Sequence, residues 1–136
     1  LPLNELLRLP GKLLAEGTTR ATGNPKITGY RVEELQLPRS MDVELHGQQV
    51  SVDRAWRVTL NGGPFPVRSL PAVIWIDDQI VGYGIENERL SQITAITFDG
   101  SLIREGAVIS LSYGEDKDSR LKLSQRLHLK REGENQ

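Results

Sequence analysis

The chain has 136 residues, 38% of them hydrophobic and 26% charged, with a formal net charge of −1 and no cysteine. That is shorter than one typical domain of roughly 150 residues, yet long enough to bury about 68% of its unfolded surface around one core. These figures exclude a multidomain enzyme, a disordered tail, a disulfide scaffold and thiol or zinc–thiolate chemistry, and the near-neutral charge gives no general pull toward nucleic acid or anionic lipid.

Leu3, Leu6 and Leu7 stand at i, i+3 and i+4 and predict a short helix near the start. Pro10-Gly11 should stop it, and residues 12–16 read as one more helical turn. The helix is expected to cover an open end or edge of the fold. Residues 17–25 read as a linker. The domain plan is therefore helix and linker over 1–25, a β-domain over 26–131 and a flexible tail over 132–136.

From about Lys26 the rhythm changes to two residues. Tyr30, Val32, Leu35 and Leu37 suggest a strand with imperfect alternation. Met41, Val43 and Leu45 alternate with Asp42 and Glu44, His46-Gly47 breaks the run, and Val50 and Val52 resume it, which predicts a hairpin. Trp56, Val58 and Leu60 form the next strand, closed by the turn Asn61-Gly62-Gly63-Pro64. Residues 72–76 are continuously apolar, as in a strand buried on both faces. Asp77-Asp78 should turn the chain into a returning strand over 79–83. Residues 93–98 and 107–113 make two more strands, with Asp99-Gly100 a turn and 114–119 a polar loop. Leu121, Leu123, Leu127 and Leu129 then alternate with charged residues as a last strand. About seven or more short strands at turn spacings of about 8–12 residues predict a mainly β fold, an antiparallel β-sandwich with a short N-terminal helix. No apolar run approaches the roughly 18 residues that span a bilayer as a helix.

The stretch Val58-Thr59-Leu60-Asn61-Gly62-Gly63-Pro64-Phe65-Pro66 resembles the opening of IPT/TIG domains, where a strand enters a Gly-rich turn followed closely by Phe. Val73-Ile74-Trp75-Ile76 with Asp77-Asp78, the segment from Leu90 to Phe98, and the strand from Gly106 to Tyr113 resemble that family's later elements in order. The resemblance covers about residues 54–113. It implies an Ig-like sandwich used for binding, dimerisation or spacing, and no shared catalytic residues. The strands before residue 54 and after residue 113 lie outside it.

The contact regions expected for such a module are Asn61, Gly62, Gly63 and Phe65 in one loop, Asp77 and Asp78 in another, and Tyr83 and Glu86 in a third. Catalytic, cofactor and metal sites are not assigned. His46 and His128 have no metal-ligand spacing, and Gly82-Tyr83-Gly84 lacks the third glycine of a dinucleotide fingerprint. Asp116 and Asp118 beside Glu115 form a D-x-D pair, but without the Gly and distal Glu of a calcium loop. An alternative is a carbohydrate-active or carbohydrate-binding protein, using Asp77, Asp78, Glu86 and Glu88 with Trp56, Trp75 or Tyr83 exposed beside them. A second alternative is polyanion binding by a basic stripe of Arg120, Lys122, Arg126, His128 and Lys130 on the last strand. A protein or polysaccharide partner and a homo-oligomer are open, whereas nucleic acid is not expected, since no aromatic alternates with these cations. A chain that opens on Leu1 reads as a trimmed or processed form, and a signal peptide ahead of it would mark an exported module.

Overall fold

The structure is a computed structural model and describes residues 2–18 and 25–130. It is mainly β: two antiparallel sheets stacked as a sandwich, with one short helix. The elements in order are α1 (Leu3–Arg8), β1 (Gly11–Thr18), β2 (Ile27–Leu45), β3 (Gln48–Gly62), β4 (Ala72–Ile76), β5 (Gln79–Tyr83), β6 (Ile85–Glu86), β7 (Gln92–Thr97), β8 (Ile109–Tyr113) and β9 (Leu121–Lys122). Sheet order is β1-β2-β3-β7-β6 in one layer and β5-β4-β8-β9 in the other.

The core follows the two-residue rhythm. Val32, Val58, Leu60, Ile93 and Ala95 from the five-stranded sheet meet Ala72, Ile74, Ile76, Ile109 and Leu111 from the other, with Tyr30 and Phe65 fully buried among them. All five residues of β4 are buried, as their unbroken apolarity predicts. Gly84 is the point where one strand leaves the four-stranded sheet as β5 and joins the five-stranded sheet as β6. Its amide donates to Ala72 O (2.7 Å), and a Cβ there would collide with Ile93 Cγ2.

Three expectations are corrected. Residues 12–16 form no helical turn. They belong to β1, the first strand of the five-stranded sheet, so the β-architecture begins well before residue 26. A short Leu-rich run does not distinguish helix from strand, and pairing with β2 decides it. The helix α1 covers neither an end nor an edge. It lies on the outer face of the five-stranded sheet, where Leu6 packs with Leu35, Leu37 and Ala55 in a second apolar cluster. The last strand is only two residues long: after Lys122 the chain runs without a ladder, although Leu123 and Leu127 still enter the core. The expected linker falls largely on residues 19–24, and the expected tail on 132–136, both outside the described residues.

The hairpin at His46-Gly47 is much longer than its sequence pattern suggests. Positive φ at both residues (51° and 79°) gives a tight turn whose twist matches the strands. β1 pairing ends at Leu35 and β7 pairing ends at Trp56. Beyond these points, among the described residues, the ladder partners of residues 36–45 and 48–54 are each other, forming a two-stranded arm. The register slips between Gln36 and Met41, where β2 takes five steps against two on β3 and carries Pro38 in the excess. Met41 and Val52 pack against the second cluster at the arm's root. At the tip, His46 Nε2 meets the Asp99 carboxylate at 2.9 Å.

Candidate binding surface

The turn at residues 61–65 is a half-buried piece of scaffolding, with Pro64 exposed and Phe65 inside. Phe65 is 0% exposed, which removes it from the contact loop. The amides of Gly62, Gly63 and Phe65 donate to Ser91 O, Lys26 O and Leu90 O, so three chain segments are tied at one knot. Gly62 has φ 149°, and a Cβ there would collide with Lys26 O, so the glycine is required. Asn61 receives a 2.9 Å hydrogen bond from the Gln92 side chain on the adjacent strand.

Asp77 and Asp78 hold the β4–β5 turn together. Asp77 pairs with Arg104 (2.6 Å) and accepts from the Val108 amide (3.0 Å), while Asp78 pairs with Arg120 (3.0 Å). Glu86 lies beyond the opposite end of β5, roughly 16 Å or more away at about 3.3 Å per residue. The structure therefore does not bring Asp77 and Glu86 together. Trp56 sits on the five-stranded sheet, and Trp75 is buried in the other, donating Nε1–H to Ser112 Oγ at 2.8 Å. They form no common platform with Tyr83.

The basic series is dispersed in role. Arg120 lies over the Trp75 ring (5.2 Å to its centroid) and donates to Asp77 O and Lys117 O, which makes it a cover for that tryptophan. Arg126 donates to Gly106 O, and His128 Nδ1 meets Glu105 at 3.1 Å. Lys122 is exposed and Lys130 half-buried. Asp116 caps a short turn by accepting from the Asp118 amide. Among the described residues no group of three or more His, Asp or Glu is placed to hold a metal.

What the structure does gather lies at the Tyr83 end of the four-stranded sheet. Val67, Leu70 and Tyr83 are 73%, 58% and 55% exposed, the three most exposed large apolar side chains among the described residues. Leu70 and Tyr83 are joined through neighbouring residues, and Val67 stands three residues before Leu70 in the same loop. Leu70 rests against Gly114, the next residue, Glu115, accepts a 2.6 Å bond from the Tyr83 hydroxyl, and Arg68 stacks on the Tyr113 ring (4.8 Å to its centroid). The hydrogen bond to Glu115, and then its charge, raise the Tyr83 phenol above its ordinary range. Burial raises Tyr113, helped by the Glu86 charge and opposed by Arg68.

The Arg68–Tyr113 stack stands between two cavities of about 410 and 430 Å³. The Tyr113 hydroxyl is buried and has no hydrogen-bond partner among the described residues. Sequence reasoning singled out Tyr83 here and missed Val67, Arg68, Leu70, Tyr113 and Glu115. The available signal was the proline-bracketed stretch 66–71, whose apolar residues keep no two-residue rhythm.

No protein-family model, curated protein or solved structure matches the chain. The class it belongs to is thus defined by architecture alone, a mainly β, two-sheet antiparallel sandwich.

Proposed function

We propose that the protein is a non-catalytic binding or assembly module of an Ig-like, IPT/TIG-like kind, which meets a protein partner through Val67, Arg68, Leu70 and Tyr83. The observation that carries this reading is the exposure of Leu70 and Tyr83 side by side through Gly114 and Glu115, with Val67 exposed in the same loop, since scattered apolar residues need no explanation but neighbouring ones do. Its composition suits a protein interface: tyrosine and arginine at the centre, aliphatic neighbours, and a carboxylate at the rim. The IPT/TIG-like part of the reading is supported by the succession of β3, Gly-rich turn, β4–β5 hairpin, β7 and β8 within a sandwich. A protein partner is favoured over a polysaccharide because Trp56 and Trp75 lie on different sheets and cannot stack on one sugar chain.

The test compares immobilised wild-type protein with Leu70→Asp and Tyr83→Ala for proteins retained from source-cell extract, with Lys122→Ala as the control. The reading expects a protein held by wild type and Lys122→Ala and lost from both patch variants, whose melting temperatures stay near wild type. Equal retention by all four, or turnover of a glycan substrate by the purified chain, overturns it.

A further inference from the structure

The arm has two free edges of unequal character. Along β2 the edge carries Pro38, the three-residue excess after Gln36, and the exposed acids Asp42 and Glu44. Each is a device that discourages a second strand from adding there. Along β3 the edge runs Gln48-Gln49-Val50-Ser51-Val52, with no proline, glycine or bulge and no charge before Asp53 and Arg54, and among the described residues its ladder partner is β2 alone. Gln48, Gln49, Ser51, Asp53 and Arg54 are exposed, and the loop after β7 reaches the arm at its tip, where Asp99 meets His46. One edge is guarded and the other is not.

We propose that the β3 edge of the arm pairs antiparallel with the same edge of a second copy of this chain, about a two-fold axis at Ser51. Such an interface is isologous, so the strand must complement itself. In this register Val50 faces Val52 of the other copy on both sides of the axis, and Ser51 faces its own counterpart. Gln49 then faces Asp53, and Gln48 faces Arg54, with no like charges opposed. Shifting the axis to Val50 or Val52 sets a valine against Gln48 or Arg54 instead. Pairing by the β2 edge about Val43 would oppose Asp42 to Glu44 twice, a repulsive arrangement.

The arm's half-buried face adds to the argument. Met41 lies across from Val52 and Val43 across from Val50, with Leu45 beyond them. Joining two arms edge to edge makes a four-stranded ribbon with one continuous apolar face, where a single arm has a two-stranded strip. Three or more strands are what a sheet needs for independent stability. The arm leaves the body at the Thr97 end of β7, whereas the loop carrying Val67 and Leu70 follows Phe65, which is held to Leu90 before β7 begins. Self-pairing therefore does not depend on the partner patch.

The chain has no cysteine, so Ser51→Cys introduces a single thiol. Across the axis the two Cα atoms would stand roughly 4.5–5.5 Å apart, within the about 4.4–6.8 Å that a disulfide spans. Mild oxidation should link most of the Ser51→Cys chains into dimers and leave Ser69→Cys, in the partner patch, largely monomeric. Sedimentation equilibrium should show wild-type dimers, and Ser51→Lys should dissociate them about tenfold more readily, because two ammonium groups meet at the axis. Within its own hairpin the new lysine lies directly across from Asp42, so the arm keeps its fold, as an unchanged far-ultraviolet dichroism spectrum would verify. Leu70→Asp should leave the dimer intact, which separates this inference from the partner reading. A monomeric wild type, a dimer indifferent to Ser51→Lys, or equal cross-linking at positions 51 and 69 overturns the proposal.

Discussion

Arg57 shows how one strand residue can hold a helix in place. Its Nη1 donates to the carbonyls of Leu6, Leu7 and Leu9 at 3.1, 3.0 and 2.9 Å, and its Nε and Nη2 meet Glu33 at 3.1 and 3.0 Å. The end of α1 leaves carbonyls without intrahelical partners and carries the negative end of the helix dipole, and the guanidinium answers both needs. A helix of six residues has little stability of its own, so this contact and the burial of Leu6 fix it to the sheet. Arg57 is 8% exposed, and its loss leaves the nearly buried Glu33 with only the longer contact to Arg31 at 3.8 Å. Arg57→Met should cost about 3 kcal/mol, read as a lower urea midpoint, and adding Glu33→Gln should recover part of that loss rather than deepen it. A different residue-level effect is expected at Tyr83. Glu115 raises its phenol by accepting a hydrogen bond from the neutral hydroxyl and by repelling the phenolate. Glu115→Gln should therefore bring the Tyr83 pKa down toward the ordinary tyrosine value, seen as earlier phenolate formation in an ultraviolet pH titration. An unmoved titration would show that the hydrogen bond is not kept in solution.

At the scale of elements, the sandwich was legible wherever alternation ran undisturbed, as in β7, β8 and the apolar block of β4. It was illegible where the sheet itself made the choice. Leu13, Leu14 and Ala15 look helical in isolation, yet they form a strand whose register shifts between Leu13 and Ala15 so that Ala15 turns into the core. No local pattern announces such a bulge, because its cause is the partner strand. The patch was half legible for the same reason: Tyr83 ends a recognisable strand, while Val67 and Leu70 sit on an irregular loop placed by the knot at residues 62–65. Phe65 was misjudged because a residue just after a glycine turn reads as exposed, although this turn dives under the sheet. Gly84 is another position fixed by tertiary contact. It lies where β5 passes into β6, and only the absence of a side chain lets Ile93 and Ala72 come so close. Gly84→Ala should cost about 1–3 kcal/mol through overpacking, whereas Gly47→Ala, with open space around its Cβ, should lose only the smaller cost of positive φ, about 1 kcal/mol. Thermal denaturation of the two variants side by side measures the difference.

For the whole molecule, the question is how a two-layer sandwich closes its sides. On one side the strand that switches at Gly84 belongs to both sheets in turn. On the other, the segment after β9 does the joining: Leu123 and Leu127 amides donate to Ile109 O and Ala107 O at the four-stranded sheet, and the Lys130 amide reaches Leu14 O on β1 at 2.7 Å. Leu14 stands at the register shift in β1, which is where its carbonyl has no β2 partner to serve. The His128 amide donates to the Tyr30 hydroxyl in the core, tying the same segment to β2. The leucines of this segment are therefore a seam between layers, and the charged residues between them are its solvent side. That assignment separates stability from charge. Leu127 is fully buried, so Leu127→Ala should cost about 2–5 kcal/mol and, because the seam would open, speed amide exchange in β1 as well as in β8. Lys122→Ala, at the end of β9 just before this segment and exposed, should stay within about 0.5 kcal/mol of wild type and leave β1 exchange unchanged. If Leu127→Ala lowered global stability while β1 exchange kept pace with the rest of the sheet, the leucine would be filling the core without joining the layers, and the closure would rest on the β5–β6 side alone.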